Sequence, residues 1–166
     1  MTAKDWTTHL NLLPHPEGGF YKEIYRSKEQ IKQEHLPERF TGSRAFATSI
    51  YYLLEKGDFS AFHRIKQDEI WHHYDGGALE VHIIKPNGEY SVKLVGKDIT
   101  KGQEPQVVID AGDIFGSRPI EGTEFALMGC GVAPGFDFDD FELNDRKWLL
   151  EQYPQHAKII NELTRL

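Results

Sequence analysis

The stretch "GDFSAFHRIKQDEIWHHYDG", residues 57–76, decides the fold. Glycines close both ends, where a chain turns at little steric cost. Five residues separate Gly57 from His63, Glu69 follows His63 by six positions, and Gly76 follows Glu69 by seven. The runs between read as strands. Side chains alternate along a strand, so His63 and Ile65 share one face. In the next run Glu69, Trp71 and His73 share a face, and Ile70, His72 and Tyr74 share the other. If His63 and Glu69 both point inward, a barrel holds an imidazole beside a carboxylate. Such a pair can bind a metal or transfer protons.

The strand pattern extends in both directions. "RAFATSIYYLLE" from Arg44 is rich in β-formers. "ALEVHIIK" and "EYSVKLV" flank Pro86-Asn87-Gly88, a strong hairpin signal. "QVVID", "IFGSR" and "TEFALMGCGVA" add further short strands. Many short strands at regular spacing predict a sandwich or barrel rather than a βαβ sheet. At the N-terminus Thr2 and Asp5 have capping-box-like spacing, with Trp6, Leu10 and Leu13 at helical intervals, so a short helix is predicted up to Pro14. Residues Ser27 to Ser43 read as a long loop with at most a helical turn. "DRKWLLEQY" and "QHAKIINELTRL" read as two helices split by Pro154. No repeat or linker interrupts the chain, so residues 1–166 form one domain.

Composition narrows the function classes. The chain has 166 residues, is 39% hydrophobic and carries a formal charge of −7. An acidic surface gives no reason to expect nucleic acid or an anionic membrane as partner. No apolar run approaches the roughly 20 residues of a membrane span, and "MTAKDWTTHL" lacks a signal-peptide core. Cys130 is the single cysteine, which excludes an intrachain disulfide and a zinc–thiolate cluster. It lies in an apolar strand and reads as buried and inert. A soluble cytoplasmic protein is the expectation.

The spacing of Gly57, His63, Glu69 and Gly76 resembles the first motif of the cupin superfamily: Gly, five residues, His-x-His, three or four residues, Glu, six residues, Gly. Ile65 stands in place of the second His. The second cupin motif reads Gly, five residues, Pro-x-Gly, two residues, His. Its nearest match is Gly112, Pro119 and Gly122, with one extra residue in each interval and Phe125 in the last slot. Over nearly the whole length, "PHPEGGFYKEIYRS", "FHRIKQDEIWHHYDG" and "VAPGFDFDDFEL" look like a little-characterised cupin family often described as predicted sugar-epimerase-like. The resemblance implies a mainly β jelly roll (a double-stranded β-helix) with helical ends, usually dimeric. It implies no settled reaction.

Three functions follow as expectations. The first is an epimerase or isomerase acting on a small polar, carbohydrate- or nucleotide-sugar-like ligand. His63 is its general base, Glu69 orients the ring, and Tyr52 or Tyr74 is the proton donor. The second is a non-catalytic ligand-binding or sensing cupin. The third is a metal-dependent cupin, for which His63 and Glu69 leave two ligands and His73, or more remotely His82, a third. No cofactor and no tight metal is expected. Trp71, His73, Tyr52 and Tyr74 are the ligand-binding candidates, Arg64 and Arg118 the candidate phosphate contacts. Phe136, Phe138 and Phe141 are expected to dock the C-terminal segment.

One stretch resists a purely structural reading. In "LLPHPEGGFYKEIYRS", residues 12–27, two prolines and two glycines surround His15 and Glu17. A helix stop followed by a strand start is the first reading. A rigid loop that presents polar groups at a pocket or subunit edge is the second.

Overall fold

The structure, a computed structural model, describes residues 1–165. Helix α1, Ala3–Leu10, opens the chain, and β1, Leu13–Pro14, and β2, Phe20–Arg26, follow. Two short pieces, β3 at Gln30–Ile31 and β4 at Arg44–Ala45, bracket the polar loop. The barrel strands are β5 Thr48–Glu55, β6 Ser60–Arg64, β7 Asp68–Gly76, β8 Leu79–Ile84, β9 Tyr90–Val95, β10 Gln106–Ile109, β11 Ile114–Pro119 and β12 Phe125–Ala133. Strand β13, Glu142–Leu143, precedes α2, Arg146–Gln152, and α3, Ala157–Glu162. The predicted final helix ran to Leu166, which lies outside the described residues.

The strands form two facing antiparallel sheets. One runs β1-β2-β5-β12-β7-β10, the other β13-β6-β11-β8-β9. Their inner faces alternate apolar residues as strand geometry requires. Tyr52, Leu54, Trp71, Val81, Ile83, Phe115 and Met128 fill the interior. The outer faces are partly covered by helices. Leu149, Ile160 and Leu163 pack on Phe62, Ile84 and Ile114 behind the second sheet. The α1 side, with Trp6, Leu10 and Leu12, packs on Leu53, Phe125 and Leu127 behind the first. The capping box at Thr2 and Asp5 is formed, and Gly88 takes a positive φ in the β8–β9 turn.

Two local departures matter for the site. The run from Arg44 is broken at Phe46 and Ala47, so β4 pairs with β3 and leaves the barrel to β5. In β7 the pairing jumps from Met128↔His73 to Leu127↔Asp75, a bulge that leaves Tyr74 unmatched. The alternation read from residues 69–74 therefore stops holding after His73.

Candidate functional site

Where the two sheets open, a cavity of about 490 Å³ enters the barrel. Strand β7 contributes Glu69 and Trp71, β6 contributes His63, and β5 contributes Ile50 and Tyr52. Cys130 and Val132 of β12 complete the floor, with Ile65 beside them. The Pro/Gly loop before β2 inserts His15 and Glu17 from one side. The segment after β12 lays Phe136, Phe138 and Phe141 over the other.

His63 is 2% exposed. Its Nδ1 lies 2.7 Å from the carbonyl of Ala61. A carbonyl only accepts, so Nδ1 carries a proton and Nε2 is the free position. Glu17 Oε2 occupies it at 3.0 Å. The other carboxyl oxygen of Glu17 accepts from Ser60 Oγ at 2.9 Å. Glu17 and His63 therefore lie close enough to exchange a proton. Burial raises the Glu17 pKa and pushes His63 down to about 4, so the neutral arrangement of carboxylic acid and imidazole is favoured.

Glu69 lies in the same cavity with its carboxyl pushed up to about 8. Burial is the main cause and the nearby Glu17 the second, while Trp71 and Cys130 beside it act the other way. Trp71 Nε1 closes no hydrogen bond of normal geometry. His15 accepts the Glu17 backbone N–H at Nδ1, 3.2 Å away, and packs edge-on against Tyr21. The Tyr52 hydroxyl donates to the Gly18 carbonyl at 2.8 Å.

The structure brings His63, Glu69, Trp71 and Tyr52 together and separates the rest. His63 takes its carboxyl partner from Glu17, and no hydrogen bond joins it to Glu69. His73 lies beyond Trp71, past the cavity, with Nε2 donating to the Gly77 carbonyl at 2.9 Å. Tyr74, released by the bulge, lies over Gly129 on the outer face and is half exposed. Neither lines the cavity, so Tyr74 is no proton donor there and His73 no third ligand. His82 bonds Tyr90 and faces Glu80 away from the cavity. Arg64 pairs with Glu142, and Arg118 with Glu80 and Glu162. Phe136, Phe138 and Phe141 roof the cavity instead of docking the C-terminal helices. That roof is anchored by the buried pair Arg44–Asp140, with Gln67 donating to the same carboxylate.

A cupin fold raises the question of a metal, and the donor set does not fit one. Phe125 lies beside Gly76, at the far end of the sheet from Glu69. The residue opposite His63 on the neighbouring strand is Phe115, with ring centroids 4.1 Å apart. Phe115 also follows Gly112 by three positions, the interval from the motif's last Gly to its His, with Asp110 then in the Pro slot. Neither phenylalanine nor Ile65 can ligate, and both nitrogens of His63 are engaged. Among the described residues no three His, Cys, Asp or Glu side chains converge to hold a metal ion.

Two antiparallel sheets closed around a His and a Glu from consecutive strands define a cupin. The chain belongs to the cupin superfamily family described as DUF985, whose profile matches residues 4–144. Two relatives of known structure share the whole architecture. A Shewanella oneidensis protein of known structure, SO0799, is 39% identical with a TM-score of 0.90, over 99% of this chain and 98% of that one. A hypothetical protein from Leishmania major is 34% identical with a TM-score of 0.89, over the full length of both. The uncharacterized yeast protein YML079W (Saccharomyces cerevisiae) is 31% identical across 82% of this chain and 70% of its own. Oxalate decarboxylase from Bacillus subtilis shares the fold alone, at 18% identity and a TM-score of 0.54 over 91% of this chain and 34% of that one.

Glu17 and His15 are the cavity residues for which the sequence reading put a turn first and a loop at a pocket edge second. The signal was present in the segment that resisted: a carboxylate held between Pro16 and two glycines of positive φ.

Proposed function

We propose that the protein binds a compact, polar, carbohydrate-like molecule in the barrel cavity and transfers a proton on it, as an epimerase or isomerase does. The observation that carries this reading is the contact between buried Glu17 and His63, 3.0 Å apart, on the wall of the cavity. Glu69 supplies the second proton-active group. A carboxyl with a pKa near 8 is roughly one-tenth ionised at pH 7, close to the match a general base requires. In this reading Glu69 removes a proton from carbon next to a carbonyl, and the Glu17–His63 pair returns one to the other face. The base role expected of His63 thus passes to Glu69, and the orienting role expected of Glu69 passes to Glu17. A phosphate-free ligand is favoured within the class, because Arg64 and Arg118 are tied to acids away from the cavity. A volume of about 490 Å³ suits a single sugar-sized molecule.

The test is hydrogen exchange in D₂O with a panel of aldoses, ketoses and keto-sugars, followed by NMR. One member should lose its carbon-bound proton signal. Glu69→Gln and His63→Asn should each slow that loss by about 10²-fold, as removal of a general acid or base does. A second reading, a binding cupin without turnover, is favoured by one observation: both nitrogens of His63 are already engaged. Thermal stabilisation by a panel member that exchanges nothing would select it.

A further inference from the structure

No group inside the cavity supplies a ready positive charge. The interior acids are Glu17 and Glu69, and the interior bases are His15 and His63. Burial lowers the pKa of both imidazoles, so neither supplies a positive charge cheaply. Tyr21, Tyr52 and Cys130, the other titratable neighbours, are neutral or negative in any state. Both cations near the opening are already committed. Arg26 makes two bonds to Glu23, at 2.9 and 2.7 Å, and a third to the Phe136 carbonyl. Lys22 Nζ donates to the Leu10 carbonyl. Glu23 and Asp137 balance them in sign at the same opening.

An acid entering this cavity would meet two carboxyls and no free cation, and a buried charge without a partner is costly. A cation meets the opposite conditions. Glu69 is 8% exposed and its nearby donors, Trp71 and Cys130, make no hydrogen bond of normal geometry to it, so a ligand can compete for its oxygens. The walls are aromatic: Trp71, Tyr52 and Tyr21 line the interior, and Phe138 and Phe141 the roof. Aromatic faces attract cations, most strongly where water is excluded.

We infer that the cavity selects its ligand by charge and takes a small molecule whose inner end is a protonated or methylated amine, such as an amino-bearing polyol, with Glu69 as its counter-charge. The inference rests on the proposed function only for the place where the ligand binds. It adds a thermodynamic signature. Glu69, pushed up to about 8, is mostly protonated at pH 7, and an ammonium group stabilises its ionised form. Binding of the cation must therefore release a proton.

The test compares three probes by calorimetry at pH 7, in two buffers of different protonation enthalpy. They are choline, its uncharged isostere 3,3-dimethylbutan-1-ol, and oxalate. Choline should bind about tenfold more tightly than the alcohol, with close to one proton released per site, and oxalate should give no binding heat. Glu69→Gln, nearly the same shape, should narrow the preference for choline over the alcohol and release no proton. A thermal melt checks that this variant is folded, and the wild-type comparison needs no variant at all. Oxalate binding, failure of choline to bind, or equal affinity for choline and the alcohol would overturn the inference. Proton exchange into an uncharged sugar would still support the proposed function if charge selectivity failed. Charge selectivity without exchange would leave a binding protein that recognises amines.

Discussion

Glu69 and His63 are both buried and both pushed toward their neutral forms, but they act oppositely on stability. Glu69 rises from 4.5 to about 8 on folding, so between those values the folded chain holds a proton that the unfolded chain has lost. Stability from this group is complete below pH 4.5 and is lost as pH rises through 8. His63 falls from 6.5 to about 4, so its neutral form favours folding progressively from pH 4 up to 6.5. The two slopes oppose each other below pH 6.5, and above it only the raised carboxyls, Glu69 and Glu17, contribute a falling slope. The melting temperature should therefore fall from pH 6.5 to 8.5, with a limiting slope of about 1.4 kcal/mol per pH unit. Glu69→Gln should lessen that decline; a wild-type melt independent of pH in this window would refute the assignment. At this scale alternation along two strands was enough to put His63, Glu69 and Trp71 on inward faces, because it needs only local geometry. It concealed Glu17, whose partner His63 is forty-six positions away. No spacing rule spans a contact made by the closure of a loop onto a barrel.

The element that makes this contact is the Pro/Gly loop, which answers why a turn carries a His and a Glu. Gly18 has φ +118° and Gly19 φ +72°, so the chain reverses within two residues and seats Glu17 against Ser60 and His63. A Cβ at Gly18 would lie 2.0 Å from the backbone oxygen of Phe59, which cannot move aside as a side chain can. Gly57 provides the control: φ is +84° and a Cβ there would meet nothing within 4 Å. Gly57→Ala should cost only its backbone strain, about 1–3 kcal/mol. Gly18→Ala should cost more and also disturb the Glu17–His63 pair, visible as a change in the His63 imidazole resonances by NMR. Equal losses of stability and an unchanged His63 signal in both variants would mean that the loop does not position Glu17. Strand positions were legible because glycine and Asn-Gly turns punctuate them. The β7 bulge was not, because no residue near Tyr74 announces an extra position. The bulge is set by pairing with β12 and leaves Tyr74 unmatched on the outer face, where alternation also puts it, while His73 lies past the end of the cavity.

Across the whole molecule, the β-barrel could be read from strand count and turn spacing, but what lies beside it could not. Strand β2 borders the first sheet, yet β1 pairs with it only at Phe20 and Tyr21. From Lys22 to Arg26 that edge has no strand neighbour among the described residues, and Ile24 and Tyr25 on it are 47% and 54% exposed. An open edge with apolar side chains invites pairing with another chain. We propose that a second copy covers it, giving a homodimer in which β2 strands meet close to the two cavity openings. Tyr21, Glu23 and Arg26 of the same strand line the cavity, so dimer formation would also stiffen its rim. A net charge of −7 on each copy opposes association, and salt should favour it by screening that repulsion. Light scattering at micromolar concentration should give twice 19.1 kDa. Replacing Ile24 and Tyr25 together with lysine puts like charges on both sides of the edge and should return the mass to 19.1 kDa, with the fold intact by circular dichroism. A wild-type monomer in moderate salt, or a dimer that survives both lysines, would place the contact elsewhere.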